Sequence, residues 1–258
     1  MGGKGLLGAI IGGTGVYSMS DEQRLETVKT PYGNIDVHFS RINGQDIVFL
    51  ARHGSNHASP PHKVNYRANM WALHSLGVSH IFATCAVGSN NLDFHPGDVV
   101  VLKDFIDFTH QRPVTFYDNE AVHVSMADPY CRHLRSLFLN TVSEKGFKIA
   151  GEAVYVCTEG PRFETAAEIR MFQKLGGDVV GMTNVPEVTL AKELKMCYSA
   201  VGIVTNWCTG FGEEVDKETL LSMVENNKNE LTKMFVQVLS TKGLSKEYCQ
   251  CQNAIIRL

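Results

Sequence analysis

The chain has 258 residues, 44% hydrophobic and 20% charged, with 23 Gly and 8 Pro, a globular composition that excludes disordered, collagenous and low-complexity chains. Lys and Arg number 24 against 27 Asp and Glu, a net charge of −3, without the basic excess or stripe of a duplex-binding protein. No apolar run approaches the ~20 residues of a membrane helix, and Met1-Gly2-Gly3-Lys4-Gly5-Leu6 fits neither a signal peptide nor a myristoylation signal. The expectation is a soluble, cytoplasmic domain that binds neither nucleic acid nor membrane.

In chain order, Leu6 to Ile11 reads as a buried strand that empties into Gly12-Gly13-Thr14-Gly15. Ile35, Val37 and Phe39 alternate, Asn43-Gly44 follows, and Ile47 to Ala51 is apolar. That pattern predicts a β-hairpin and therefore an antiparallel part to the sheet. From Asn65 the period changes: Tyr66, Met70, Leu73 and Leu76 share a helical face that Gly77 closes. Buried strands are expected at 81–87 and 99–102, and a helix through Leu134, Leu137, Phe138 and Thr141 ends at Gly146. Then come a strand at 153–158, a helix at 165–175, a strand at 179–182 and a helix through Val188, Leu190 and Leu194. A strand at 198–205 and a helix at 217–239 complete the series. This alternation, with neither linker nor internal repeat, predicts a single α/β domain with a mixed sheet. Residues 1–240 form it, and 241–258 are left as a C-terminal tail.

The seven cysteines show no disulfide framework, being odd in number and mostly scattered singly through apolar segments. Cys249 and Cys251 alone sit close together. A metal site there lacks further Cys or His partners in the nearby sequence, so the expectation is a mobile tail with two incidental thiols.

In α/β sheets a ligand site lies off the carboxyl ends of the strands. After the first strand, Gly12-Gly13-Thr14-Gly15 lacks the glycine spacing of a dinucleotide fingerprint, which disfavours a nicotinamide enzyme. Its backbone N–H groups and the Thr14 hydroxyl still suit an anion. After Leu50 come Arg52 and His53, a guanidinium beside an imidazole that suits an oxyanion. His53, His57 and His62 bring no carboxylate or thiolate at matching spacing, so a metal is not expected there. Thr84-Cys85-Ala86-Val87-Gly88-Ser89 offers backbone to a ligand. Phe163-Glu164, Met182-Thr183 and Asn206-Trp207-Cys208 occupy three further strand ends.

Gly12-Gly13-Thr14-Gly15, Ala51-Arg52-His53-Gly54, the segment Val64 to Leu73 and Gly181-Met182-Thr183-Asn184-Val185-Pro186-Glu187 resemble the trimeric purine nucleoside phosphorylase / methylthioadenosine phosphorylase family, from about Leu6 to Leu239. The resemblance implies an α/β domain with a mixed twisted sheet flanked by helices and assembled as a homotrimer. It implies no metal or organic cofactor, with inorganic phosphate as co-substrate. The implied reaction is reversible phosphorolysis of a purine nucleoside to free base and pentose 1-phosphate. By resemblance, Thr14, Arg52, His53, Cys85, Ala86 and Thr183 hold phosphate. Met182 lies against the pentose and Phe163 on the purine, and His123 reaches a neighbouring protomer's site.

Methylthioadenosine enzymes carry Asp-x-Asp where this chain has Asn206-Trp207-Cys208, and a small hydroxyl residue where it has Glu164. Both departures point to the inosine- and guanosine-cleaving branch. Ionised Glu164 accepts from a 6-oxopurine N1–H, and Asn206 donates to O6 or serves N7 as charge builds there. His53 and Asn206 are the expected catalytic pair, with Trp207 and Cys208 beside the base. The 5′ preference, hydroxyl or methylthio, turns on Val215 or Asp216. A methylthioadenosine phosphorylase and a non-catalytic nucleoside-binding protein are the alternatives on the same fold.

Overall fold

The computed structural model describes residues 7–12, 23–42, 44–54, 59–212, 217–241 and 244–257. Thr14, His57, Val215 and Asp216 lie outside them. The strands are β1 (Leu7–Gly12), β2 (Gln23–Thr30), β3 (Gly33–Ile42), β4 (Gln45–Ala51), β5 (Val78–Ser89) and β6 (Val99–Phe108). They continue with β7 (Val122–Val124), β8 (Gly151–Thr158), β9 (Val179–Gly181), β10 (Cys197–Trp207) and β11 (Ile255–Arg257). The helices are α1 (Tyr66–Ser75), α2 (Arg132–Glu144), α3 (Ala166–Lys174), α4 (Glu187–Glu193) and α5 (Lys217–Leu239).

A nine-stranded sheet runs β10-β6-β8-β9-β5-β1-β4-β3-β2, and β10 also pairs with β5. The strands β5, β9, β8, β6 and β10 therefore close into a ring, while β1, β4, β3 and β2 extend from β5 as an open wing. The shared strand β5 pairs in parallel with both β1 and β10 and meets β9 antiparallel at its end. With neighbours on both edges it is buried along nearly its whole length, as its continuous apolar run requires.

The predicted hairpin forms β3–β4, with Ile42 opposite Gln45 and Gly44 at φ +79°, a left-handed conformation that glycine adopts without strain. Asn65 caps α1 by accepting from the Ala68 N–H. Thr165 and Glu168 form a reciprocal capping box at α3, satisfying two donors that would otherwise be orphaned. Met70 and Leu73 of α1 and Val188 and Ala191 of α4 bury against one face of the sheet. Leu134 and Phe138 of α2 and Leu231 and Phe235 of α5 cover the other, where the Phe82 and Phe235 rings stack at 4.5 Å.

Three strands escape the sequence reading. β2 is polar and solvated (Gln-Arg-Leu-Glu-Thr-Val-Lys-Thr), and β7 and β11 are three-residue strands that pair only with each other. The expectation of a mobile tail around Cys249 and Cys251 is corrected as well. Cys251 and Ala254 are buried, Ser125 N–H donates to the Ala254 carbonyl at 2.8 Å, and β11 seals against β7. Folding also supplies the thiol partners missing near Cys249 and Cys251 in the sequence, namely Cys131 and Cys197. Among the described residues, no helix is long and apolar enough to cross a membrane.

Phe235 is fully buried between Phe82 and Phe138, so Phe235→Ala should lower the unfolding free energy by about 3–5 kcal/mol. Urea denaturation measures this. A loss below about 1 kcal/mol would mean that α5 does not hold the sheet through this cluster.

Candidate active site

Strand ends β4, β5, β8, β9 and β10 and one face of α5 surround a cavity of about 600 Å³. It is lined by Arg52, His53, Cys85, Ala86, Phe163, Glu164, Met182, Thr183, Asn206 and Cys208, all singled out in the sequence. Glu225 and Lys228 of α5 line it too. They lie 3.6 Å apart, and the sequence alone shows nothing to separate them from an ordinary helical i,i+3 pair.

Arg52 is placed by its backbone, whose N–H donates to the Gly12 carbonyl at the end of β1 (3.1 Å), and by Asn69 Nδ2, which donates to its carbonyl at 3.2 Å. Its guanidinium does not present its whole fork to the cavity, as the sequence suggests. Nε and Nη2 donate to the two carboxylate oxygens of Glu187 at 2.7 and 2.8 Å, and Nη1 donates to the Thr84 carbonyl at 2.8 Å. Among the described residues, these bonds use one N–H of each Nη, and Arg52 also lines the cavity. Both side chains are out of solvent, 2% and 0% exposed. Burial opposes the charge of Arg52, but Glu187 more than offsets it and holds the guanidinium above its ordinary range.

The Glu187 carboxylate is held in turn by a buried chain. Tyr198 Oη donates to its Oε1 at 2.6 Å, Asn184 Nδ2 donates to Tyr198 Oη at 3.2 Å, and Tyr130 Oη donates to Asn184 Oδ1 at 2.7 Å. Burial, and then Glu187, raises the Tyr198 phenol well above its usual value, so the phenol keeps the proton it donates. Thr183 and Asn184 both give backbone N–H groups to Tyr155 Oη, at 3.1 and 3.4 Å. Such a satisfied network fixes the strand-end loops by more than packing. Burial lifts the Cys85 thiol to about 12 against the pull of Arg52. Cys85 is therefore a neutral lining group and not a thiolate nucleophile.

His53 Nδ1 lies 2.8 Å from the Ser59 carbonyl. A carbonyl only accepts, so the proton sits on Nδ1. Glu164 is oriented by Thr158, whose hydroxyl donates to Oε1 at 2.6 Å. Asn206 Nδ2 donates to the Trp207 carbonyl at 2.8 Å, and the Thr205 hydroxyl lies 2.9 Å from Oδ1 and 3.2 Å from the Val87 carbonyl. Thr205 has one proton to share between them. Gly160 has φ +66°, a left-handed conformation that favours glycine, and Met182 Sδ lies where a Cβ there would come within 2.6 Å. Phe163 is 74% exposed, an apolar ring at the rim that invites a flat apolar cover.

Two nominated residues stand elsewhere. Trp207 packs edge-on against His95 at 5.3 Å and beside Phe211 at 5.8 Å, on the opposite side of β10 from Asn206 and off the cavity lining. His123 is exposed on β7 and does not reach its own chain's cavity. A further organising residue that the sequence reading missed is Arg112. It donates to the carbonyls of Thr158, Glu159 and Val185 at 3.1, 2.7 and 2.6 Å and to Glu159 Oε1 at 3.1 Å. One buried cation thus ties the loop that carries Phe163 and Glu164 to the loop after β9.

The profile of the phosphorylase superfamily matches residues 9–240. The chain is similar to the 6-oxopurine nucleoside phosphorylase of Pyrococcus furiosus, with 45% identity over 96% of this chain and 97% of that one. It is similar to the S-methyl-5'-thioadenosine phosphorylase of Pyrococcus horikoshii, with 43% identity over 95% and 96%. Its structure resembles the crystal structure of a methylthioadenosine phosphorylase from an Antarctic soil metagenomic library. The TM-score is 0.88, with 34% identity, covering 96% of this chain and 90% of that one.

Removing one partner of a buried ion pair strands the other charge. Glu187→Met should therefore lower the unfolding free energy by about 3–5 kcal/mol, and Arg52→Met/Glu187→Met should recover part of that loss. Chemical denaturation of wild type, single and double variants checks this. A double variant less stable than Glu187→Met would contradict the pairing.

Proposed function

The chain belongs to the phosphorylase superfamily, and from that premise we propose that it is a 6-oxopurine nucleoside phosphorylase, a pentosyltransferase of purine salvage that cleaves inosine and guanosine reversibly. The observation that carries this reading is one cavity lined both by a carboxylate and an amide that match a 6-oxopurine and by an anion end built on Arg52 and Thr183. A phosphate oxygen attacks the anomeric carbon while the bond to the purine nitrogen breaks and its electron pair leaves with the base. The transition state is an oxocarbenium-like sugar between two anions, and preorganised donors at each end stabilise it.

At the anion end, the two remaining N–H groups of Arg52, the Thr183 hydroxyl and the Ala86 backbone bind phosphate. His53, with Nδ1 held by Ser59, turns its other ring nitrogen to a phosphate oxygen. Thr14, outside the described residues, belongs to the same reading. At the base end, Glu164 Oε2 accepts from purine N1–H while Thr158 holds Oε1. The second N–H of Asn206 Nδ2 donates to O6, and the amide swings to N7 as negative charge gathers on the base. Phe163 covers the ring, Cys208 walls the pocket and Met182 lies against the sugar. Adenine N1 has no proton and would meet Glu164 acceptor to acceptor. No metal or organic cofactor takes part in this scheme.

The same reading makes the enzyme a cytoplasmic homotrimer in which His123, exposed on β7, serves a neighbouring protomer's site near the sugar 5′ group. 5′-Methylthioinosine stands beside inosine as a substrate, because relatives of both 6-oxopurine and methylthio type are similar to this chain over nearly its whole length.

Glu164→Gln replaces an acceptor with a group that donates to adenine N1. It should lower kcat/KM for inosine at least about 100-fold and raise the adenosine-to-inosine preference, while the KM for phosphate stays within about threefold. Steady-state kinetics on inosine, guanosine, adenosine, methylthioadenosine and methylthioinosine measure this. Unchanged inosine cleavage in the variant would refute the base-reading role. Thr183→Val, which deletes one hydroxyl and keeps the shape, should raise the phosphate KM about tenfold or more with little effect on hypoxanthine binding. Equal losses for phosphate and hypoxanthine would contradict the division of the cavity.

A further inference from the structure

At the opposite end of β10 from Asn206, four cysteines from three separate parts of the chain converge. Cys131 caps the start of α2, Cys197 opens β10, and Cys249 and Cys251 lie in the segment after α5. Their sulfurs all lie within 4.8 Å of one another, and Cys197 Sγ and Cys249 Sγ are 3.4 Å apart. Cys131, Cys197 and Cys251 are buried to 2% exposure or less, and Cys249 is half-buried.

Isolated buried thiols are ordinary small hydrophobes, but such groups have no reason to gather sulfur to sulfur. We propose that Cys131, Cys197, Cys249 and Cys251 form a structural tetrathiolate site for a zinc ion. A tetrahedral ion with Zn–S bonds of about 2.3 Å sets its sulfurs about 3.8 Å apart. The observed spacings bracket that distance, so side-chain rotations of about 1 Å or less close the tetrahedron. A set of four thiolates favours a soft or borderline tetrahedral ion over magnesium, calcium or manganese. Binding converts four thiols to thiolates, forms four Zn–S bonds and releases four protons to solvent, so the step needs no oxidant or reductant.

The two halves of the site differ in origin. Cys131 and Cys197 belong to the body of the fold, where the Cys131 N–H donates to the Tyr198 carbonyl at 2.7 Å. Cys249-Gln250-Cys251 belongs to the C-terminal segment, and Cys251 opens the short 3-10 turn that leads into β11. The ion would therefore clamp this segment onto α2 and β10 and set the register in which Ile256 pairs with His123 on β7. Its role is structural, and it is independent of the reaction assigned to the cavity.

The test uses the full chain, purified under reducing conditions, freed of metal and titrated with Zn²⁺ or Co²⁺ alone. The expected result is about one ion per chain and, with cobalt, the intense d–d and thiolate-to-metal bands of a tetrahedral tetrathiolate. Cys251→Ser should weaken zinc affinity at least about 100-fold, and zinc should slow amide exchange at 122–124 and 255–257 in the wild type. The cobalt spectrum of the wild type stands even if the variant fails to fold. The proposal is overturned if the reduced chain binds no stoichiometric cobalt in tetrahedral sulfur coordination. It is equally overturned if the four thiols are recovered as two disulfides that take up no metal after reduction.

Discussion

A guanidinium and a carboxylate with almost no access to water, joined by two short hydrogen bonds, impose strict conditions on everything around them. The desolvation of Arg52 and Glu187 is offset only if every remaining donor and lone pair finds a partner. Thr84 takes one N–H of Arg52, Tyr198 serves Glu187, and Asn184 and Tyr130 complete the chain. Beyond these bonds among the described residues, Arg52 also lines the cavity. The anion end of the site is thus what remains of a buried network that packing has already fixed. In the proposed reaction, phosphate would meet a positive group whose geometry is set before it arrives, the condition under which electrostatic stabilisation is strongest.

The closed ring of strands puts that network to use. Because β10 pairs with both β5 and β6, the ends of β5, β9 and β10 are brought around a single space. Arg52 enters from the end of β4, and Glu187 opens α4 just beyond β9. The base end is fastened independently. Arg112 ties the start of the Phe163–Glu164 loop to the loop after β9, and Thr158 aims the Glu164 carboxylate. In the proposed function, separate fastening of the two ends lets one pocket treat phosphate and purine as distinct recognition problems.

Much of this was legible in the sequence, for a physical reason. Ligand groups cluster at the carboxyl ends of buried strands, and those strands announce themselves as short apolar runs, so Arg52, His53, Thr183 and Asn206 could be found by position alone. Glu187 could not be assigned its partner, because 135 residues separate it from Arg52 and no local pattern signals a buried pair. The same holds for Arg112 and for the union of Cys131 and Cys197 with Cys249 and Cys251. Trp207 does not line the cavity, because neighbouring residues on a strand point to opposite faces. Serving the cavity from Asn206 turns Trp207 toward His95 and Phe211. β2 carries too few apolar residues to be read as a strand, since its order comes from pairing with β3 and not from burial.

In the proposed reaction phosphate, not water, attacks the sugar from the end of the cavity held by Arg52 and Glu187. Phosphorus NMR of the purified protein with inosine and inorganic phosphate tests it directly, with hypoxanthine followed in the same samples. Hypoxanthine is expected only when phosphate is present, with one equivalent of ribose 1-phosphate for each base released. Hypoxanthine release at the same rate without phosphate, with the pentose recovered as free ribose, would contradict it.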